Sequence, residues 1–518
     1  MPPVLARLVY LGAALLFVAS VLAIRSGQEN LHRYAAVLGR DVPAVVYEPR
    51  APLDWGETAR ADRRFPVVVL AHGALVNKGI MAVLARRLAH AGYAVVTFDF
   101  QGHGWNRNRL RPGWPGEALE EDIAAAVRYA VTRPQFDAER LVLAGHSTGA
   151  GAVLRYASRN PGAAAVVAVS GGEPPLGPYA PPNTLLVWAT GDPVQIRERG
   201  REVGAKLAGL ERLVMDRTYG DPQRGTAVRI SEVGGTDTLT ILYSADAARR
   251  IVRWLDETLG VPEFRRERLS NARIAWAPVG LLSAVVLLFG LLRLMGPHIV
   301  RQDPGATPTP ERLLLLLIAH LVALLLMAGI DPRATAGSPD LLPVSGGATL
   351  GGFFALSSVG FGLLLLARRV PLPRPPRGPD LLGAGVILLV GYALFVSPLF
   401  PLLDLRLAPH RVPWALVLGA LTTPFYLIVE EALRGDGQTA RWISPVGRLV
   451  TLGFIMGGTM LGILPPVLLL ATGVIVLLFA LFEILSLRLA RLRAGPWITA
   501  LVHGGLTGWV VAALLPIV

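Results

Sequence analysis

Residues 141–151 read LVLAGHSTGAG. The apolar run up to Gly145 suits a buried strand, and the small residues after it lead into GAVLRYASRN, which has the character of a helix. Ser147 therefore falls on a sharp strand-to-helix turn. Gly145 and Gly149 flank it, and a side chain at either place would crowd the bend. His146 is its immediate neighbour in the same turn.

The pattern extends on both sides. FPVVVLAHG is a strand by its β-branched run, MAVLARRLAHAG a helix that ends at a glycine, and YAVVTFDFQGHG the next strand. EALEEDIAAAVRYAVTR is a helix. After residue 160 come the strands AAAVVAVSGG, NTLLVWATGD and TAVRISEVGG, and then the helix ADAARRIVRWLDETLG. Strands separated by helices from about residue 41 to 262 predict a mostly parallel sheet with helices on both faces.

This ordered set resembles the α/β-hydrolase family. The features that carry the likeness are G-H-S-T-G between a strand and a helix, AHGA (71–74) at the end of the earlier strand, FDFQGHG after the next one, and GDPV (191–194) closing a later strand. The resemblance implies Ser147 as nucleophile, with the backbone N–H groups of Ala74 and Thr148 as an oxyanion hole. It implies Asp192 as the acid that orients a base, and His72 as a support of the oxyanion loop. The family's base is a histidine in the loop after the last strand, yet that loop reads EVGGTDTLTILYSADAARR, with Thr238 at the corresponding place and Asp237 beside it. No histidine occurs between His146 and His298.

A threonine hydroxyl neither takes up nor releases a proton near neutral pH. An oxyanion hole and substrate binding alone leave only about 10³–10⁴-fold catalysis over water. Three readings follow. His103, in QGHG at the same edge of the sheet, substitutes as base; or the protein is a weak or single-turnover hydrolase; or the domain has lost catalysis and binds a ligand or partner. His146 is expected to be turned away from Ser147. The connection EPPLGPYAPP (173–182) is short for a cap, so the site should be open or covered by the membrane surface, which favours a small-molecule or lipid-like ester substrate.

The rest of the chain differs in composition. Of 518 residues, 52% are hydrophobic and 17% charged, with a mean hydropathy of +0.48. Runs long enough to cross a bilayer as helices lie near 5–24, 275–295, 313–330, 348–367, 381–403, 412–432, 449–464, 466–487 and 497–517. The organisation read from this is an N-terminal transmembrane anchor (1–29), an α/β-hydrolase domain (30–262), a linker (263–274) and an all-α transmembrane bundle of about eight spans (275–518). The first span has signal-peptide features, but its long apolar core fits an uncleaved anchor.

The net charge of +13 fits membrane topology rather than nucleic-acid binding. Arg293, Arg301 and Arg312 follow the second span, and Arg368, Arg369, Arg374 and Arg377 the fourth. Arg434, Arg441 and Arg448 follow the sixth, and Arg488, Arg491 and Arg493 the eighth. Alternate loops are poorer in arginine. This places the arginine-rich loops in the cytoplasm, and the hydrolase domain and C-terminus outside a multi-pass bacterial inner or cytoplasmic membrane, in contact with its lipids. Arg265, Arg266, Arg268 and Arg273 run against the pattern, although large domains translocate largely regardless of charge. The absence of cysteine excludes thiol catalysis. No phosphate-binding glycine loop or metal-ligand spacing occurs, so no cofactor or metal is expected.

Ionisable residues inside spans mark function. His320, Glu430, Glu431, Glu483 and His503 are expected to share one layer near the cytoplasmic leaflet as an intramembrane polar cluster. The last four spans faintly resemble the CAAX-protease-like (Abi) membrane family, whose pattern is a Glu-Glu pair followed by arginine, a histidine, and a histidine four residues before an asparagine. Here EEALR has one residue too few before Arg434, FIMGGTM lacks the middle histidine, and HGGLTGW has threonine near the asparagine position. The departures imply a decayed or repurposed scaffold.

Overall fold

The computed structural model describes residues 3–26, 31–49, 64–111, 116–173, 177–260, 273–298, 308–329, 343–370, 373–400, 402–435, 438–465 and 467–518. Most of the 263–274 linker, with Arg265, Arg266 and Arg268, lies outside the described residues, as does Arg301. The chain forms two compact units. One comprises Ala19–Pro278 with Pro398–Asp404; the other comprises Met1–Val18, Val279–Ser397 and Leu405–Val518.

The first unit is built on nine strands: β1 (Leu31–Leu38), β2 (Val42–Pro49), β3 (Phe65–Ala71), β4 (Ala94–Phe98), β5 (Phe136–His146), β6 (Ala165–Val169), β7 (Thr184–Ala189), β8 (Thr218–Tyr219) and β9 (Val228–Val233). Their order in the sheet is β1-β2-β4-β3-β5-β6-β7-β9-β8. The six strands from β4 to β9 in that order are parallel, whereas β1, β2 and β8 join antiparallel at the two margins. β3, β4, β6 and β7 are buried along their whole length, as near-continuous apolar runs in a two-faced parallel sheet must be. Helices α2 (Ala82–His90), α3 (Glu117–Val131), α4 (Thr148–Arg159), α5 (Val194–Ala208) and α6 (Ala245–Leu259) connect the strands. The arrangement is the α/β-hydrolase fold.

The β1–β2 hairpin, helix α5 and the short marginal strand β8 were not read from the sequence. The β1–β2 hairpin turns through Gly39-Arg40-Asp41, with Gly39 and Asp41 both at positive φ. Helix α5 follows directly from the turn at Asp192-Pro193. Pro398–Asp404 is held within the same unit by Tyr243 Oη, which donates to Leu402 O at 2.9 Å, and by Asn77 Nδ2, which donates to Asp404 O at 2.6 Å.

The second unit is helical. Among the described residues, nine helices are long and apolar enough to cross a membrane: Val4–Arg25, Trp276–Met295, Pro310–Gly329, Gly347–Ala367, Gly378–Leu399, Pro409–Leu433, Trp442–Met460, Thr472–Arg491 and Pro496–Leu514. This is compatible with an integral membrane protein. The last eight are called M2–M9 below, in chain order. M6 and M9 pack most closely, because Gly419, Gly504 and Gly508 let their backbones approach: a Cβ on Gly504 would stand 2.7 Å from Gly419 O. Phe353, Phe354, Phe425, Tyr426 and Phe482 form the aromatic centre of this unit.

Candidate active site

β5 lies between β3 and β6 and delivers Ser147 at the carboxyl edge of the sheet. Ser147 N donates to Val169 O at 2.8 Å, so the ladder with β6 extends one residue past the strand. The chain then bends sharply: Ser147 has φ 53° and ψ −120°, and α4 begins at the next residue. A non-glycine residue in that region carries about 1–3 kcal/mol of strain. The bend closes only because its neighbours lack side chains. A Cβ on Gly145 would overlap the Gly149 backbone, one on Gly149 would overlap His72 O, and one on Gly171 would overlap Ser147 O. Ser147, Thr148 and Ala74 are half-buried, so this edge is open to approach.

The loop after β3 carries Ala74 and is fixed by His72. Its Nδ1–H donates to Gly73 O at 2.7 Å and its Nε2 accepts from Phe100 N–H at 3.0 Å, which defines a neutral ring bridging two loops. Burial pushes its pKa down to about 4. Thr148 N–H belongs to the first turn of α4, where backbone donors have no helical partner. A second anchor was missed in the sequence. Asp99, fully buried at the end of β4, pairs with Lys78 Nζ and accepts from Lys78 N–H and Trp105 N–H, both at 2.8 Å. Burial opposes its ionisation, but the Lys78 charge prevails and holds its carboxyl below the usual range.

Asp192 stands in the turn after β7, buried. Its Oδ2 accepts from Ala189 N–H at 2.9 Å, and its Oδ1 accepts from Thr238 Oγ1 at 2.5 Å. Asp192 thus meets the loop after β9 through the Thr238 hydroxyl. Thr238 also makes a contact that the sequence did not suggest: its carbonyl accepts from His146 Nε2 at 2.6 Å. His146 is buried, and burial lowers its pKa although the Asp192 charge opposes this. Its side chain is not remote from Ser147, because both pack on Gly73. His103 sits on the loop after β4. Its Nδ1–H donates to Gln101 O at 2.9 Å, and its ring meets His72 edge-on with centroids 5.2 Å apart. With β3 between β4 and β5, that loop starts about 10 Å from the strand carrying Ser147.

The expected five-residue layer in the helical unit separates into three groups. Arg448 of M7 joins Glu430 of M6 (Nη2 to Oε1, 2.8 Å) to Glu483 of M8 (Nε to Oε2, 2.7 Å), with Ser486 donating to Glu430 at 2.5 Å. His503 of M9 stacks on Phe482 at 4.2 Å and places Nδ1 3.9 Å from Glu430 Oε1. His320 is elsewhere, between Ser357 Oγ (2.9 Å) and Thr451 Oγ1 (3.0 Å) in a shell of phenylalanines. Glu431 has Arg434 and Arg312 as its charged neighbours rather than Arg448. Rotation about each helix axis decides which of these residues meet.

The site therefore defines a hydrolase-type elbow. Residues 63–222 match the family described as serine aminopeptidase, S33. Among curated sequences, the chain is similar to the quorum-quenching protein AidA of Acinetobacter baumannii (32% identity over 103 residues, 20% of this chain and 34% of that one). It is also similar to an uncharacterized 31.7 kDa protein of Escherichia coli (30% over 101 residues, 19% and 34%). The chain spans about a third of the length of these relatives. Similar solved structures include an esterase from Pyrobaculum calidifontis (17% identity, 51% of this chain and 100% of that one, TM-score 0.33). Another is a dienelactone hydrolase from Anabaena variabilis ATCC 29413 (16%, 45% and 98%, TM-score 0.32).

Proposed function

We propose that the protein is a membrane-anchored serine hydrolase that cleaves a small-molecule or lipid-like ester by acyl transfer through Ser147. The observation that carries this reading is the strained backbone at Ser147, held at φ 53° at an open sheet edge beside Ala74 and Thr148. Ser147 Oγ attacks the ester carbonyl, and the Ala74 and Thr148 N–H groups receive the oxyanion. Loss of one such donor elsewhere raises the barrier by about 3–4 kcal/mol. The match of residues 63–222 to a serine-peptidase family supports the chemistry.

The Thr238–Asp192 hydrogen bond favours a second reading, in which the domain is catalytically impaired and recognises a ligand or partner. A fluorophosphonate probe separates the two. Labelling of the wild type but not of Ser147→Ala supports the hydrolase, whereas a folded wild type that fails to label supports the impaired domain.

The hydrolase unit faces outward in this reading. The support is the alternation of arginine-rich and arginine-poor connections. The chain has no cysteine, so Arg224→Cys, at a highly exposed side chain of that unit, provides a unique thiol. Reaction with an impermeant maleimide on intact cells is expected; protection until lysis would reverse the orientation.

A further inference from the structure

The Thr238 carbonyl can only accept a hydrogen bond, so His146 Nε2 carries the proton, and a neutral His146 ring leaves Nδ1 as a bare acceptor. Nδ1 is buried and has no hydrogen-bond partner among the described residues. Buried polar atoms are rarely left so, and each exception calls for an explanation. The place that Nδ1 faces is informative. A Cβ on Gly73 would stand 3.1 Å from His146 Nδ1 and 2.9 Å from Ser147 Cβ. The two atoms therefore lie within about 6 Å of one another, across a glycine that puts no side chain between them. Rotation about the Ser147 Cα–Cβ bond brings Oγ about 1.4 Å closer at most, and one intervening water covers the rest; catalytic hydrogen bonds are often long before substrate binds.

We propose that His146 is the proton acceptor for Ser147, and that Asp192, Thr238 and His146 form a relay in place of the missing histidine. The proposal rests on the reading of Ser147 as a nucleophile. As the Ser147 Oγ–acyl carbon bond forms, the hydroxyl proton passes to His146 Nδ1. The imidazolium keeps its Nε2–H on Thr238 O, and Thr238 Oγ1–H stays on Asp192 Oδ1. When the ester C–O bond breaks, the same proton leaves on the departing alcohol. In deacylation His146 Nδ1 takes a proton from water, the hydroxide oxygen bonds to the acyl carbon, and the proton returns to Ser147 Oγ as the acid departs. Asp192 contributes its charge through the Thr238 hydroxyl rather than by direct contact. The titratable groups whose charge reaches His146 are Asp192 and His72. Thr238 is a positioning residue here, and His146 the catalytic one.

The test uses the full-length protein in detergent, with the burst of p-nitrophenol from p-nitrophenyl acetate as readout and Ser147→Ala as blank. His146→Asn is expected to slow acylation about 100-fold or more, the scale of a lost general base. Adding Thr238→His to His146→Asn is expected to restore at least the wild-type rate, because an imidazole then sits on Asp192 directly. A rate for His146→Asn within threefold of wild type would overturn the proposal and leave Ser147 as nucleophile. A double variant that stays as slow as His146→Asn would also overturn it, showing that His146 matters only for structure. No Ser147-dependent burst in the wild type would overturn the nucleophile reading itself, and this proposal with it.

Discussion

Replacing Thr238 by histidine should convert this site into a faster hydrolase. The argument starts from the 2.5 Å hydrogen bond between Thr238 Oγ1 and Asp192 Oδ1. Asp192 is buried, its Oδ2 is already fixed by Ala189 N–H, and Oδ1 is oriented toward the loop after β9. An imidazole at position 238 finds a ready acceptor for Nδ1–H, and its Nε2 is directed outward along the sheet edge. The loop has room to adapt. Thr238 is half-buried, Leu239 is exposed, and Cβ atoms on Gly234 and Gly235 would meet nothing within 4 Å. A well-placed general base is worth about 10²–10⁴-fold, or about 3–5 kcal/mol off the barrier. Part of that is already supplied if His146 works as base, so about 100-fold in kcat/KM for p-nitrophenyl acetate is the expected gain. The variant should keep a melting temperature within a few degrees of wild type, because one hydrogen bond to Asp192 replaces another. A folded Thr238→His protein with no gain in activity, yet with Ser147 still reactive to fluorophosphonate, would refute the assignment of Asp192 as an acid that can orient a base.

Other consequences can be measured on the same protein. Thr238→Val removes the donor to a buried carboxylate and should destabilise the hydrolase unit by about 1.5–3 kcal/mol in denaturant titration. Ser147→Gly relieves the positive-φ strain and should raise the melting temperature by a few degrees, even after the greater entropy of glycine in the unfolded chain, while abolishing probe labelling. His72 has a folded pKa of about 4 against 6.5 when unfolded, so the unfolded chain binds the extra proton between those values. Stability should therefore fall as pH drops from 6.5 towards 4, by about 3 kcal/mol for this group, and be unaffected by it above 7. Arg448→Met leaves the buried Glu430 and the half-buried Glu483 without their shared partner and should lower stability in detergent by about 3 kcal/mol; adding Glu430→Gln and Glu483→Gln should recover most of it.

The legible parts of this chain are those where one residue type permits one conformation. β-branched runs marked β3 to β7 and β9, and the glycines around Ser147 marked the elbow, because the bend admits no Cβ at 145 or 149. The β1–β2 hairpin escaped notice because its outer strand is half exposed and lacks a continuous apolar run; its signal was the Gly39-Arg40-Asp41 turn. Arg448, counted among the arginines of the connection after the sixth span, lies within M7, and its pairing with other helices leaves no spacing in the sequence. His146 was misjudged for a related reason. The turn after the strand suggests a side chain directed off the Ser147 face, but says nothing about a neighbouring loop, and a Cβ on Gly73 would meet both His146 Nδ1 and Ser147 Cβ.

On the function proposed above, the site would depart from a complete triad only in its base. The strained serine persists, although glycine there would relax the backbone. The crowding glycines that permit the strain persist too, as does a buried acid with both carboxylate oxygens satisfied. On that reading only the group between Asp192 and Ser147 differs, and Thr238 in its place makes two hydrogen bonds. Thr238 uses its hydroxyl on Asp192 and its carbonyl on His146, joining the acid to an imidazole on the nucleophile's own strand. A threonine filling a vacated position needs only the first of these bonds. The second gives His146 the proton arrangement that a base requires, with Nε2 protonated and Nδ1 free, and that arrangement favours a rerouted proton path over a site that has simply lost its histidine.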